Sequence, residues 1–342
     1  MAEYFGVTQS GNFEGGRSIL HRPHDHEQFA AKKGLSPKAL AEMVGKSGAE
    51  LLEARNRRER PFKDDKVIAS WNGLIIAALS RGAAALGENR YAGAAAAAAA
   101  FIREKMIAPG GRLLRRYRGG EAALPAYLDD YAFLAWGLLE LYRATFEPAH
   151  LEWALSLSRS MCELFRGQGG ALQFAGADRD EGLPSCTDAH DGALPSGNSV
   201  AALNLLQLGR LTGDEALWER GASIIGAFAG ELSDLPSAHS HLLAALDFAL
   251  GPAAEIVIAG EAGLPGVEQM AARARRGFHP NTLLLFHPTG AGERGIGKIA
   301  PFTGQMKAAP GEAAAYLCRD RSCLPPVFSA AALEALLKEQ KL

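Results

Sequence analysis

Residues 194–221 read LPSGNSVAALNLLQLGRLTGDEALWERG. A Pro, a Gly and a cluster of hydroxyl and amide side chains lead straight into an apolar, helical run. The run closes on Leu-x-Arg at Arg210, breaks at TGDE, and resumes as a second helical run opened by Trp218. The same arrangement occurs twice upstream. LSR ends at Arg81 and LYR at Arg143, the breaks are GENR and FEPAH, and the aromatics are Tyr91 and Trp153. A repeat of this length fits one helical hairpin plus a return loop.

The first helix of each pair is apolar around most of its circumference, as in GLIIAALS, AFLAWGLLELY and VAALNLLQL, which marks burial on more than one side. The second is amphipathic, as in HLEWALSLSRSMCELF and EALWERGASIIGAF. Buried and half-exposed helices in alternation predict two concentric layers, the arrangement of a mainly α, partial α/α toroid. Helices over 36–60 and 237–250 extend the three hairpins to about eight helices, short of a closed six-hairpin ring. The expected division is an incomplete toroid with an N-terminal extended segment over 1–250, and a small α/β region over 251–342.

Composition bounds the partners. The chain has 342 residues, 48% hydrophobic and 22% charged, with a formal net charge of -2, so it forms a core and carries no basic footprint for nucleic acid. No apolar run reaches the length of a membrane span, and no membrane partner is expected. The N-terminal MAEYFGVTQSGNFEGG lacks a secretory pattern. The few, irregularly spaced cysteines, Cys162, Cys186, Cys318 and Cys323, point to a reducing, cytoplasmic setting.

Inner helices separated by one antiparallel partner run parallel, so their N-termini open at one mouth. Those starts read DDKVIASWNG (64–73), AYLDDYAF (126–133) and DGALPSGNS (191–199). Backbone N–H groups and helix dipoles there favour carboxylates and hydrogen-bonding ligands. An Asp, Ser or Asn at a helix start is by itself an ordinary cap, worth about 1 kcal/mol. Capping does not call for Trp71 or Tyr131 beside Asn72, and such a cluster suits a sugar or polyol. Two Gly-rich loops, GGRLLRRYRGGEAALP and GGALQFAGADRDEGLPSCTDAHDG, feed this mouth.

From Gly251 the period changes. AEIVIAG, NTLLLFH and AAAYLCRD read as strands and LPGVEQMAARARRGF as a helix, which predicts a short parallel sheet. The final PPVFSAAALEALLKEQ reads as a helix capped by Ser329. GAGERGIG lacks the strand–turn–helix context of a dinucleotide fingerprint. CRDRSC is neither a zinc pattern nor the C-x-x-C of a thiol oxidoreductase. The histidines of LHRPHDHEQF and SAHSHLL stay unassigned, and neither metal nor cofactor is expected.

Six motifs in order, YFGVTQSGNFEGGRSILHRP, DDKVIASWNGLIIAAL, LPAYLDDYAFLAWGLLELY, DGALPSGNSVAALNLLQLGRLTG, ALDFALGPAAEIVIAG and CRDRSCLPPV, resemble the YyaL-like, spermatogenesis-associated protein 20 family. The resemblance implies a helical region of six-hairpin glycosidase or N-acylglucosamine 2-epimerase type. Family members also carry an N-terminal thioredoxin-like domain, which has no counterpart here, so the chain reads as a C-terminal portion. The resemblance places its recurrent motif residues at Asp64, Asp65, Lys66, Trp71 and Asn72, at Asp129, Asp130 and Tyr131, and at Asp191, Ser196, Asn198 and Ser199.

Two functions are expected from this. One is a carbohydrate-active enzyme, glycosidase- or epimerase-like, with acid–base candidates Asp65, Asp130 and Asp191, one per repeat. Glycoside hydrolysis places two carboxylates about 5–9.5 Å apart; Trp71 and Tyr131 would stack on the sugar, with Lys66, Asn72, Asp129, Ser196, Asn198 and Ser199 binding it. An epimerase would use a His pair at the mouth, where only His190 stands near a cluster. The other is a non-catalytic helical module, working with a thioredoxin-like domain or by self-association through the open ring. It would leave every carboxylate on a backbone cap, beside an apolar groove.

Overall fold

The computed structural model describes residues 1–178, 186–289, 295–319 and 322–340, and it separates into two units, Met1–Asp64 and Asp65–Leu342. In the first, α1 (His26–Lys32) and α2 (Pro37–Asn56) meet over a small cluster of Tyr4, Phe29, Ala30 and Leu40. Asp25 and Ser36 cap the two helices, each accepting from backbone N–H groups of the first turn. The segment expected as a first ring helix is therefore α2, and it belongs to this first unit.

The second unit opens with β1 (Val67–Ile68) and then sets out the predicted hairpins. They are α3 (Ala69–Leu86) with α4 (Asn89–Lys105), α5 (Leu128–Thr145) with α6 (Pro148–Leu164), and α7 (Gly197–Thr212) with α8 (Glu215–Ala227). A short α9 (Ala229–Asp234) and α10 (Ser240–Leu250) follow. Helices α3, α5, α7 and α10 pack in succession as the inner layer, and α4, α6 and α8 back them. This is a partial α/α toroid.

Sequence explains the layering. α5 is buried on every side through Leu138, Leu139, Leu141 and Tyr142, whereas α6 buries one stripe of Leu151, Ala154, Leu155 and Met161. Each fully buried Leu contributes about 1.5–3 kcal/mol. α3 and α5 cross at glycine: a Cβ on Gly73 would stand 2.4 Å from the Phe133 backbone carbon, and one on Gly137 would stand 2.6 Å from the Gly73 carbonyl oxygen. Gly87 and Gly213 end α3 and α7 in the left-handed region. Phe146 takes that role after α5 at φ 57°, and its ring lies between Phe286 and the Arg275 guanidinium.

The repeated arginines tie each element to the next. Arg81 of α3 donates to Glu140 of α5 at 2.7 Å, and Arg143 of α5 donates to Gln207 of α7 at 3.1 Å and also to Glu140. Arg210 of α7 pairs with Glu255 of the following strand and donates to the Ala253 carbonyl at 2.7 Å. Burial alone would raise the Glu140 carboxyl, but Arg143 and Arg81 outweigh it and hold it below the usual carboxylate range.

The stretch 110–125, read as a loop, is a hairpin of β2 (Leu114–Arg118) and β3 (Glu121–Pro125), with β1 on the other edge of β2. Its turn is Gly119–Gly120, both at positive φ, as a two-residue hairpin demands. Beyond α10 come β4 (Ala254–Gly260), α11 (Pro265–Arg275), β5 (Thr282–Pro288), α12 (Ile296–Ile299), β6 (Ala314–Arg319), β7 (Ser322–Cys323) and α13 (Ala330–Glu339), the last capped by Ser329. The sheet order is β5-β4-β6-β7; β4 and β5 are parallel, but β6 and β7 join antiparallel, so the sheet is mixed rather than wholly parallel. One face, with Val257, Leu283 and Leu285, enters the helical core, and the other packs Ile256, Ile258 and Leu284 with α11 and α13. Packing does not break at residue 250, because β4 needs apolar cover on both faces and the helices supply one of them.

Candidate functional site at the inner-helix N-termini

Side chains lash the starts of the inner helices together. Asp130, fully buried, accepts the Ser70 N–H of α3 at 2.9 Å through Oδ1. Its Oδ2 accepts the Tyr127 N–H at 2.9 Å and the Arg115 guanidinium at 3.2 Å. Asp191 accepts the Ser196 N–H at 2.8 Å, and the His241 and Leu242 N–H groups of α10 at 2.7 and 3.1 Å. α3 is thus tied to α5, and α7 to α10, at one end.

Asn198 closes the floor between α7 and the loop before it. It accepts the Leu172 N–H at 2.8 Å and donates to the Leu172 and Asp188 carbonyls at 2.9 and 3.0 Å. Ser196 caps α7 on the Ser199 N–H at 3.0 Å, and the two hydroxyls bond each other at 3.0 Å. The Tyr131 hydroxyl accepts the Leu113 N–H at 3.1 Å, and its ring is buried beneath Arg112. It is core and presents no stacking face.

Asp129 differs. It is half-buried against Gly197 at the start of α7, and among the described residues the Gly197 N–H serves it where three donors serve Asp130. Burial first, then the neighbouring Asp130 carboxylate, pushes its pKa up to about 6, against the pull of Arg115 and the Gly197 N–H. Of the other residues expected at the mouth, Trp71 is 62% exposed and Asp65 is ion-paired with Arg118 at 2.6 Å. Lys66 is exposed, and Asn72 donates to the Ile68 carbonyl at 2.9 Å.

Several groups of this region escaped the sequence reading. Arg115 comes from the β2–β3 hairpin, and its guanidinium also covers the Tyr127 ring at 4.9 Å. Tyr127 in turn stacks on Phe174 at 4.8 Å. The Gly-Gly turn flanked by alternating residues was the available signal. His239, left unassigned by the sequence, meets His190 edge to face with centroids 6.4 Å apart, because the Asp191 link brings α10 there. Beside them His241 rests on Trp136 at 5.1 Å, its imidazole pushed below its ordinary pKa by burial. The loop segment 179–185 and part of the Gly-rich stretch, 290–294, lie outside the described residues.

Two cavities of about 640 and 960 Å³ open at the other end, around the C-terminus of α7 at Gly213 and Asp214. Among the described residues, no group of three or more His, Cys, Asp or Glu could hold a metal ion, and no helix is long and apolar enough to cross a membrane.

No family model matches the chain. Human spermatogenesis-associated protein 20 is 30% identical over 98% of this chain and 45% of its own length. The chain is similar to spermatogenesis-associated protein 20 over nearly all of its own length. The mouse protein is 28% identical over 99% of this chain, and the chain spans about half the length of these curated relatives. Among solved structures, a glycoside hydrolase family 76 mannosidase from Bacteroides thetaiotaomicron aligns with 48% of this chain and 44% of its own at TM-score 0.39 and 15% identity. A cellobiose 2-epimerase from Bacillus thermoamylovorans aligns with 49% of this chain and 46% of its own at TM-score 0.41 and 19% identity.

Proposed function

We propose that this chain binds a sugar or other polyol at the N-terminal mouth of α3, α5 and α7, and that Asp129 is the group there that gives or takes a proton. The carrying observation is the contrast between adjacent acids. Asp130 has its oxygens taken by Ser70, Tyr127 and Arg115, whereas Asp129 is raised to about 6. A carboxyl near the working pH can act as acid and as base. In this reading, of the three acid–base candidates on sequence grounds, Asp130 and Asp191 shape the mouth, while Asp65 joins Lys66, Trp71 and Asn72 at its rim. Ser196, Asn198 and Ser199 hold its floor. The proposed setting is the cytoplasm.

A non-catalytic helical module is the second reading. It is favoured by the engagement of Asp191 with three backbone donors and of Asp130 with two and the Arg115 guanidinium, and by relatives about twice as long, whose additional region could supply a partner.

Calorimetry against a panel of mono- and oligosaccharides and sugar phosphates, with product analysis by chromatography, separates the two. The first reading expects binding, and turnover reduced by about 10²–10⁴ in Asp129→Asn. Binding without turnover favours the module. Silence from this chain and from a version extended to the full length of its relatives would remove the sugar site altogether.

A further inference from the structure

Cys318 and Cys323 are bonded across β6 and β7, where they stand opposite each other in register with Cα atoms 3.9 Å apart. The bond adds little as a staple. The Arg319–Ser322 pair and the Leu324 N–H on the Leu317 carbonyl already close the same hairpin, and a loop this short offers the least entropy to remove. Its surroundings are unequal. Cys318 is buried at 3% exposure, whereas Cys323 is exposed on a two-residue strand at the sheet edge. Both cysteines line the 960 Å³ cavity, together with Trp218, Phe302, Met306 and Tyr316 and the acidic Asp214, Glu215 and Glu219. Cys318 pairs in register with Glu255, the partner of Arg210, and both of those side chains line the same space.

We propose that Cys318–Cys323 is a thiol–disulfide exchange site, opened by an external dithiol that docks in this cavity and attacks Cys323. The incoming thiolate forms a bond to Cys323 Sγ, the Cys318–Cys323 bond breaks, and its electron pair leaves on Cys318 Sγ as a thiolate. The second thiolate of the donor then attacks its own sulfur in the mixed disulfide and closes the donor's disulfide. Cys323 leaves as a thiolate, and the two protons given up by the donor finish on the two cysteines. The dithiol is oxidised by two electrons and the pair is reduced by two. In the reduced hairpin the covalent tie to β7 is gone and the Arg319–Ser322 pair and the Leu324 N–H remain, so the cavity wall is loosened in that state.

The test uses the native chain. Glutathione is added below the unfolding transition, thiols are blocked with N-ethylmaleimide, and peptides are sequenced by mass spectrometry. The expected product carries glutathione on Cys323 and maleimide on Cys318. Dithiothreitol should then reduce the pair completely, with the far-ultraviolet circular dichroism unchanged. Glutathione found on Cys318 instead, or a pair that resists dithiothreitol until the chain unfolds, would overturn the assignment. Cys162 and Cys186, unbonded in the structure, report separately in the same digest.

Discussion

At the scale of single residues, Asp129 and Asn198 make opposite demands on the mouth. Asp129 keeps its proton to about pH 6 in the folded chain and loses it nearer 3.8 when unfolded. The folded state therefore binds more protons between those values, and stability falls as pH rises through that window. The full shift corresponds to about 3 kcal/mol, which partial solvent access reduces to about 1–2. Asp129→Asn, neutral throughout, should be the more stable protein above pH 6 by that amount, and its advantage should vanish near pH 4. Denaturant melts at the two ends of the range measure it. Asn198→Ala should act the other way, because it strands the Leu172 N–H and two carbonyls that the amide now serves. A loss of about 2–3 kcal/mol is expected, read as a lower urea midpoint with the slope unchanged. The helix-start pattern showed that polar groups gather here. It could not say which carboxylate is saturated, since that depends on donors from β2 and α3, distant in sequence.

Among elements, arginine links and glycine crossings hold the ring. Glu140 receives Arg81, Arg143 and the Trp136 indole N–H, and is itself only 6% exposed. Glu140→Ala leaves two guanidinium groups facing each other without their shared acceptor, and should cost about 3–5 kcal/mol. Arg81→Ala should cost less than about 1, because the Arg81 side chain is 58% exposed. Paired thermal melts rank the two. Glycine gives a sharper contrast. Gly93 in α4 has open space where a Cβ would go, so Gly93→Ala should stabilise by up to about 1 kcal/mol through helix propensity. Gly73→Ala meets the Phe133 backbone and should destabilise by about 1–3 kcal/mol despite the same propensity gain. The Leu-x-Arg repeat was visible in the sequence as a spacing. Its acceptors were not, because Arg81 and Arg143 converge on one glutamate and Arg210 reaches a strand.

For the whole molecule, the helical layers and the mixed sheet share one core. Val257, Leu283 and Leu285 pack with Leu205, Leu208 and Leu211 in a single cluster. A chain of residues 65–342 should therefore unfold in one cooperative transition. Residues 65–250 should not, since cutting there exposes the helical face that β4 and β5 cover. Circular dichroism melts of the two fragments, with near-ultraviolet signals as the packing readout, distinguish these outcomes. The domain boundary expected at 250 marked a change of hydrophobic period, and a change of period says nothing about whether two layers share an apolar surface.

Hairpins, their inner and outer members, the cap at Ser329 and the gathering of polar residues at the inner-helix starts were all settled by the linear pattern. Burial on one side or on every side is written in the spacing of apolar residues along a helix. The tertiary structure alone decided the rest: Tyr131 as core, Asp130 and Asp191 as fasteners, Asp129 with a raised carboxyl, and Cys318 joined to Cys323. Each of these is set by a neighbour that the chain brings from far away or by the register of a hairpin. A charge, a thiol or a ring has no fixed role until that neighbour is in place.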